Sequence, residues 1–280
     1  GAMQREFPRT PEEAFASMLL LFLDMDAVRD GATYALATPP LTAVSQLPER
    51  LRGMAGAGHL RVWALPRPGV AYVLGTDGAE GKGLDFTVTH IYEARTLRHV
   101  VALRENVLEP AEHGEAAAAL AKWYNDAWCI VERSHGEAIL MQMVLAGCRV
   151  YRHTEPPTRA QRESGRLPEG SPGFPMTGQT RPLLLDDLSE AIHDRTLSSP
   201  DPVLWSEAAS FLVVVTVGNT KRAQAASGSH DDSMIATALA VRMAQQPGAQ
   251  SVRSVGNMAL RSRDQGGTWS GARLERGGRR

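Results

Sequence analysis

Val70-Ala71-Tyr72-Val73-Leu74-Gly75-Thr76-Asp77 is the stretch on which the architecture turns. Its β-branched and aromatic residues read as a strand, and Asp77 stands where that strand meets a glycine-bearing turn running to Gly83. Two further β-rich runs, residues 86–92 and 96–104, follow across short polar turns, so the three together read as an antiparallel meander. Residues 111–124 then read as an alanine-rich helix, 127–131 as a buried strand, 136–146 as a helix ended by Gly147, and 149–152 as a strand. The order βββαβαβ predicts an α/β fold. A meander followed by alternating helices and strands implies a mixed central sheet, antiparallel then parallel, with helices on both faces.

Outward from this block the pattern is uneven. On the N-terminal side, residues 11–22 read as a helix with Thr10 as N-cap and Glu13 three positions on. Residues 24–60 are rich in Ala, Gly and Pro and read as a connector, and 60–65 alternate like an edge strand stopped by Pro66. On the C-terminal side, residues 154–179 carry many Pro and Gly and read as one long loop. Helices over 183–193 and 203–210, an apolar strand over 211–217, a polar turn and a helix over 231–245 complete the pattern. The expected division is residues 1–3 as the remnant of a cleaved expression tag, 4–246 as one folded domain, and 247–280 as a basic, disordered tail.

Composition excludes several classes. With 43% hydrophobic residues in 280 the chain can bury a core, and a formal net charge of -1 rules out a uniformly basic nucleic-acid binder. Cys129 and Cys148 both lie in apolar segments, which suits buried thiols in a reducing cytosol better than a disulfide framework. The longest apolar run, residues 18–23, is far short of the roughly 20 residues a membrane span needs.

Chemistry concentrates in acidic residues. Asp77 ends one strand, Glu132 follows another directly, Asp231-Asp232 opens a helix, and Asp85 begins the second meander strand. Carboxylates gathered at the carboxyl ends of strands can hold Mg²⁺, and two such ions can drive phosphodiester hydrolysis. Each position also has a bland reading: Asp77 as a turn residue, Glu132 as the partner of Arg133, and the Asp pair as a favourable charge at a helix start. Periodicity separates that pair, because Asp232 falls in line with Ile235, Ala236, Leu239 and Met243 while Asp231 lies to one side. Asp232 is therefore the expected ligand and Asp231 its support, with Asp85 the weakest candidate. Among the eight histidines none has HExxH spacing, Gly-x-Ser-x-Gly is absent, and Gly83 occupies the Ser/Thr position of a Walker loop. His230 and His135 are expected as hydrogen-bonding neighbours.

In this order the motifs resemble the C-terminal nuclease domain of the large terminase subunit of tailed bacteriophages. The resemblance runs from about Arg5 to Gln245 and rests on residues 5–15, on Tyr72-Val73-Leu74-Gly75-Thr76-Asp77 with Gly81, on Val131-Glu132 with Gly136, on Thr180-Arg181-Pro182, and on Gly228-Ser229-His230-Asp231-Asp232. Ser134 stands where many members carry Asn, and Asp85 lies eight residues beyond Asp77. The resemblance implies an RNase H-like fold, with Asp77, Glu132 and Asp231/Asp232 as the metal-binding acids. It also implies two Mg²⁺ or Mn²⁺ ions, bridged by Asp77, and cleavage of concatemeric double-stranded viral DNA. Implied partners are the portal protein, the small terminase subunit and an ATPase half of the same polypeptide, which is expected outside this sequence because no ATPase motif is present. The implied location is the host cytoplasm at the procapsid.

Lys82, Arg152, Arg159, Arg162, Arg166 and Arg181 are candidate phosphate contacts, solvated surface being the default for each. Two alternatives remain open: another RNase H-like nuclease of the junction-resolvase or transposase kind, and a non-catalytic DNA-clamp or portal-docking module.

Overall fold

The computed structural model describes residues 20–79, 85–165, 168–215, 221–226 and 228–251. The chain begins with β1 (Leu20–Leu21), α1 (Met25–Ala37), α2 (Glu49–Gly56) and β2 (Leu60–Val62), then the meander β3 (Tyr72–Asp77), β4 (Thr87–Glu93) and β5 (His99–Glu105). The alternating part is α3 (Pro110–Trp123), β6 (Trp128–Val131), α4 (Glu137–Leu145) and β7 (Arg149–Val150). There follow β8 (Arg152–His153), α5 (Arg159–Ser164), β9 (Ser171–Pro172), α6 (Thr180–His193), α7 (Pro202–Ala209), β10 (Phe211–Val215), β11 (Lys221–Ala225) and α8 (Asp232–Ala244).

The central sheet has six strands in the order β2-β5-β4-β3-β6-β7. Pairing is antiparallel from β2 to β3 and parallel from β3 through β6 to β7. This is the mixed sheet that the βββαβαβ order predicts. Side chains alternate along β3, so Tyr72 and Leu74 join one apolar cluster with α3 and α4, while Val73 joins another with α6, α7 and α8. A strand covered on both faces is buried throughout, which is why β3 has no solvent-facing side before Asp77 at its end.

Glycines set two close approaches. A Cβ on Gly75 would lie 2.1 Å from the Ala236 carbonyl oxygen and 2.6 Å from the Ala240 nitrogen, so α8 rests directly on the β3 backbone. A Cβ on Gly78 would lie 2.9 Å from the Gly136 Cα, which draws the turn after β3 against the loop after β6. The first contact fixes the position of α8 along β3. Asp77 lies two residues beyond Gly75, and Asp232 lies one helical turn before Ala236, at the same end of the sheet.

Several expectations are corrected. Leu20–Leu21 pairs with β10 as a strand instead of ending a helix, and residues 11–19 lie outside the described residues. The expected connector over 24–60 contains α1 and α2. α1 is capped by Asp24, whose Oδ1 accepts from the Asp26 and Ala27 amides, and a Cβ on Gly31 would lie 2.4 Å from the Trp205 ring. Packing through small residues leaves no large apolar stripe to read. The expected loop over 154–179 contains α5, with a capping box at Thr158, and β9, which pairs with β8 just before the stretch. The polar turn after β10 carries β11, whose Lys-Arg-Ala-Gln-Ala sequence takes its strand form from pairing with β10. These two strands and β1 form a separate three-stranded sheet. Ala249 is fully buried within the core cluster around α8, so the packed structure extends past Pro247, and residues 252–280 lie outside the described residues. Among the described residues no helix is long and apolar enough to cross a membrane.

Candidate active site

Three elements deliver carboxylates to one end of the sheet. Asp77 ends β3, and Glu132 continues the parallel pairing beyond β6, its amide donating to the Thr76 carbonyl at 3.0 Å. Asp232 is the first residue of α8 and Asp231 its N-cap. Ligand sites in α/β sheets gather at the carboxyl ends of parallel strands, and both Asp77 and Glu132 occupy such ends.

Electrostatics shows that these groups feel one another. The Asp77 carboxyl is held well above the usual carboxylate range, first by desolvation and then by Asp232, Glu132, Asp231 and Glu207, so each of its strongest influences disfavours the anion. Asp232 is raised to about 6, chiefly by burial; the Phe86 amide at 3.3 Å and His230 work against that rise, and Asp231 and Asp85 add to it. The His230 Nδ1 is 3.6 Å from the Asp232 Oδ2 and 3.9 Å from the Asp85 Oδ1, and Asp85 itself is largely exposed. Asp232 retains 13% side-chain exposure and Asp231 31%. The apolar stripe that singled out Asp232 is less discriminating than its spacing implies, because eleven residues of α8 are buried, covering every face of the helix.

Two of the acids hold other partners. Glu132 is buried and accepts from the amides of Ser134 at 2.7 Å and His135 at 2.8 Å, one on each oxygen. Asp231 accepts from the Arg181 Nη2 at 2.8 Å, while the Arg181 Nη1 donates to the Ala223 carbonyl. Among the described residues no three His, Cys, Asp or Glu side chains close on a single point as a ready cation cage. The donor chemistry nonetheless fits a hard divalent ion: Asp77, Glu132 and Asp232 offer only carboxylate oxygens, and their mutual repulsion at Asp77 is of the kind that a bound Mg²⁺ or Mn²⁺ relieves.

Of the basic candidates, Arg181 is drawn into this site by its pair with Asp231. Arg152 is exposed and donates to the Gly170 carbonyl at 2.8 Å, Arg159 pairs with Glu163 on the surface of α5, and Arg162 is exposed on the same helix. Lys82 and Arg166 lie outside the described residues.

Sequence reasoning missed Glu207, which α7 buries beside α8 and whose carboxyl is pushed up to about 7, chiefly by desolvation. The available signal was a charged residue inside the apolar run Val203-Leu204-Trp205-Ser206-Glu207-Ala208-Ala209. It also missed a buried chain leading to the residue before Asp77. Glu105 Oε1 meets the His113 Nδ1 at 2.7 Å, the His113 Nε2 meets the Thr89 hydroxyl at 2.9 Å, and Thr89 meets the Thr76 hydroxyl at 2.8 Å.

No protein-family model matches the sequence, and no curated protein does. Solved structures do. The large terminase nuclease from thermophilic phage G20c with bound cobalt is similar, with a TM-score of 0.57 at 16% identity, covering 80% of this chain and 97% of that one. The fold is that of a terminase nuclease domain. The same phage nuclease with bound magnesium gives a TM-score of 0.57 at 16% identity over the same shares of each chain. A further structure of that nuclease gives 0.56 at 17% identity, covering 77% of this chain and 97% of that one. The six-stranded mixed sheet with helices on both faces is thus RNase H-like.

Proposed function

We propose that the chain is a divalent-metal-dependent endonuclease domain of a viral DNA-packaging terminase, hydrolysing phosphodiester bonds of concatemeric double-stranded DNA. The supporting observation is the convergence on Asp77 at the end of β3, where Glu132 just after β6 and Asp232 at the start of α8 meet it, and where burial first and then these acids raise the proton affinity of its carboxyl. Asp77, Glu132 and Asp232 would hold Mg²⁺ or Mn²⁺, two ions in the active complex, with Asp231 beside them. When bound, such ions lower the pKa of a water and stabilise the leaving oxygen of an in-line displacement.

The chain's own residues prepare that site. Pairing with Val88 of β4 fixes Asp77, β6 holds β3 as far as Thr76, and the amides of Ser134 and His135 fix the Glu132 carboxylate. The Phe86 amide orients the Asp232 Oδ2, and Arg181 anchors Asp231. The His230 Nδ1 stands 3.6 Å from the Asp232 Oδ2 on the solvent side of the site. Exposed Arg152, Arg159 and Arg162, with Lys82 and Arg166, would supply sequence-independent phosphate attraction. Its partners would be double-stranded DNA, the portal protein, the small terminase subunit and an ATPase half, at the procapsid in the host cytoplasm.

One observation favours a second reading. Arg181 already neutralises Asp231, as it would in a non-catalytic DNA-clamp or docking module whose acids hold an arginine network. Cleavage of plasmid DNA in Mn²⁺, Mg²⁺ or EDTA separates the two. Metal-dependent cutting supports the nuclease, and DNA or portal binding without cutting supports the clamp.

A further inference from the structure

Glu207 has no part in the chemistry above, yet it touches the helix that presents Asp232. Its Oε2 accepts from the Met234 amide at 3.0 Å, within the first turn of α8. The first amides of any helix lack intrahelical acceptors, and the side chain at the N-cap ordinarily supplies one. At α8 it does not: Asp231 makes no capping bond, and its Oδ2 is taken by Arg181. Glu207 fills that vacancy from a different helix. It is only 7% exposed, and a carboxylate is expensive to bury unless it satisfies donors there.

Arg104 approaches the same place from the sheet. Its Nη2 lies 4.0 Å from the Glu207 Oε1, and its guanidinium covers the Phe86 ring at 3.3 Å. Phe86 in turn donates its amide to the Asp232 Oδ2. Glu207 and Arg104 thus each reach Asp232 through one intermediary, the first turn of α8 and Phe86 respectively.

We propose that Glu207 is a positioning residue that caps α8 from α7, holding Asp232 in the acidic site. The inference rests on the nuclease reading. Without the cap the first turn of α8 frays, Asp232 occupies its place for less of the time, and the apparent affinity for metal falls in proportion.

The test is Mn²⁺ titration by calorimetry on the full chain, paired with amide hydrogen exchange across residues 231–240 in the metal-free state. Glu207→Ala should weaken Mn²⁺ binding by roughly three- to tenfold and speed exchange in the first turn of α8. Glu207→Gln keeps an acceptor oxygen and should stay near wild type in both readouts, which loss of bulk packing alone would not explain. If the alanine variant does not fold, Glu207→Asp, one methylene too short to reach Met234, takes its place with the same expectation. Wild-type Mn²⁺ affinity and exchange in the alanine or aspartate variant would overturn the inference and leave the nuclease reading standing. Absence of Mn²⁺ binding by folded wild-type protein would overturn both.

Discussion

Gly75→Ala tests whether contact between α8 and β3 places the site. The added methyl would sit 2.1 Å from the Ala236 carbonyl oxygen and 2.6 Å from the Ala240 nitrogen, both backbone atoms with no flexible end to yield. Real Cβ atoms do not approach within 3.0 Å, so α8 must retreat by roughly 1 Å, carrying Asp232 with it. Overpacking of this kind costs about 1–3 kcal/mol, readable as a lower urea midpoint. A misplacement of about 1 Å costs on the order of 10²-fold in rate, so the folded variant should cut supercoiled plasmid in Mn²⁺ about a hundredfold more slowly. Gly31→Ala, which would crowd the Trp205 ring and leave the α8–β3 contact untouched, should lose stability with a smaller loss of rate per folded molecule. Wild-type midpoint and wild-type cleavage in Gly75→Ala would refute the placement argument.

Asp232→Asn should stabilise the metal-free protein at pH 7.5. The folded-state carboxyl is raised to about 6, so stability is lost as pH rises from its unfolded value through about 6, and the amide avoids that loss. The expected gain is on the order of 1–3 kcal/mol at pH 7.5, vanishing below about pH 4; equal melting temperatures at pH 7.5 would contradict it. His113→Ala removes the ring that hydrogen-bonds both Glu105 and Thr89 and should lower unfolding free energy by about 1–3 kcal/mol in urea, whereas a change within a few tenths would show that the chain to Thr76 is not coupled to stability. DNA affinity in Ca²⁺ should fall steeply with added salt and weaken further in an Arg152/Arg162 double alanine variant; a flat salt dependence would remove those residues from the DNA surface.

The central sheet was legible because its strands are rich in β-branched and aromatic residues between short turns, and because Gly147, with a positive φ, stops α4. The acids were legible as charges abutting such runs. What escaped reading was structure made by partners: α1 packs through Gly31 against Trp205, and β11 is a polar sequence made strand by β10. Glu207 escaped for a related reason, since its role is defined by an amide 27 positions away. Even the separation of Asp232 from Asp231 rested on a stripe that does not discriminate in a helix buried on every face. What distinguishes the two in the fold is that Arg181 holds Asp231 and the Phe86 amide holds Asp232.

Cleavage of supercoiled plasmid by the wild type, Asp77→Asn and Asp232→Asn, each in Mn²⁺, Mg²⁺ and EDTA, tests the central claim most directly. The expected result is cutting by the wild type in Mn²⁺ or Mg²⁺, none in EDTA, and none by either variant although both remain folded. Cutting by purified Asp77→Asn at the wild-type rate would contradict the assignment of this carboxylate cluster as the nuclease site.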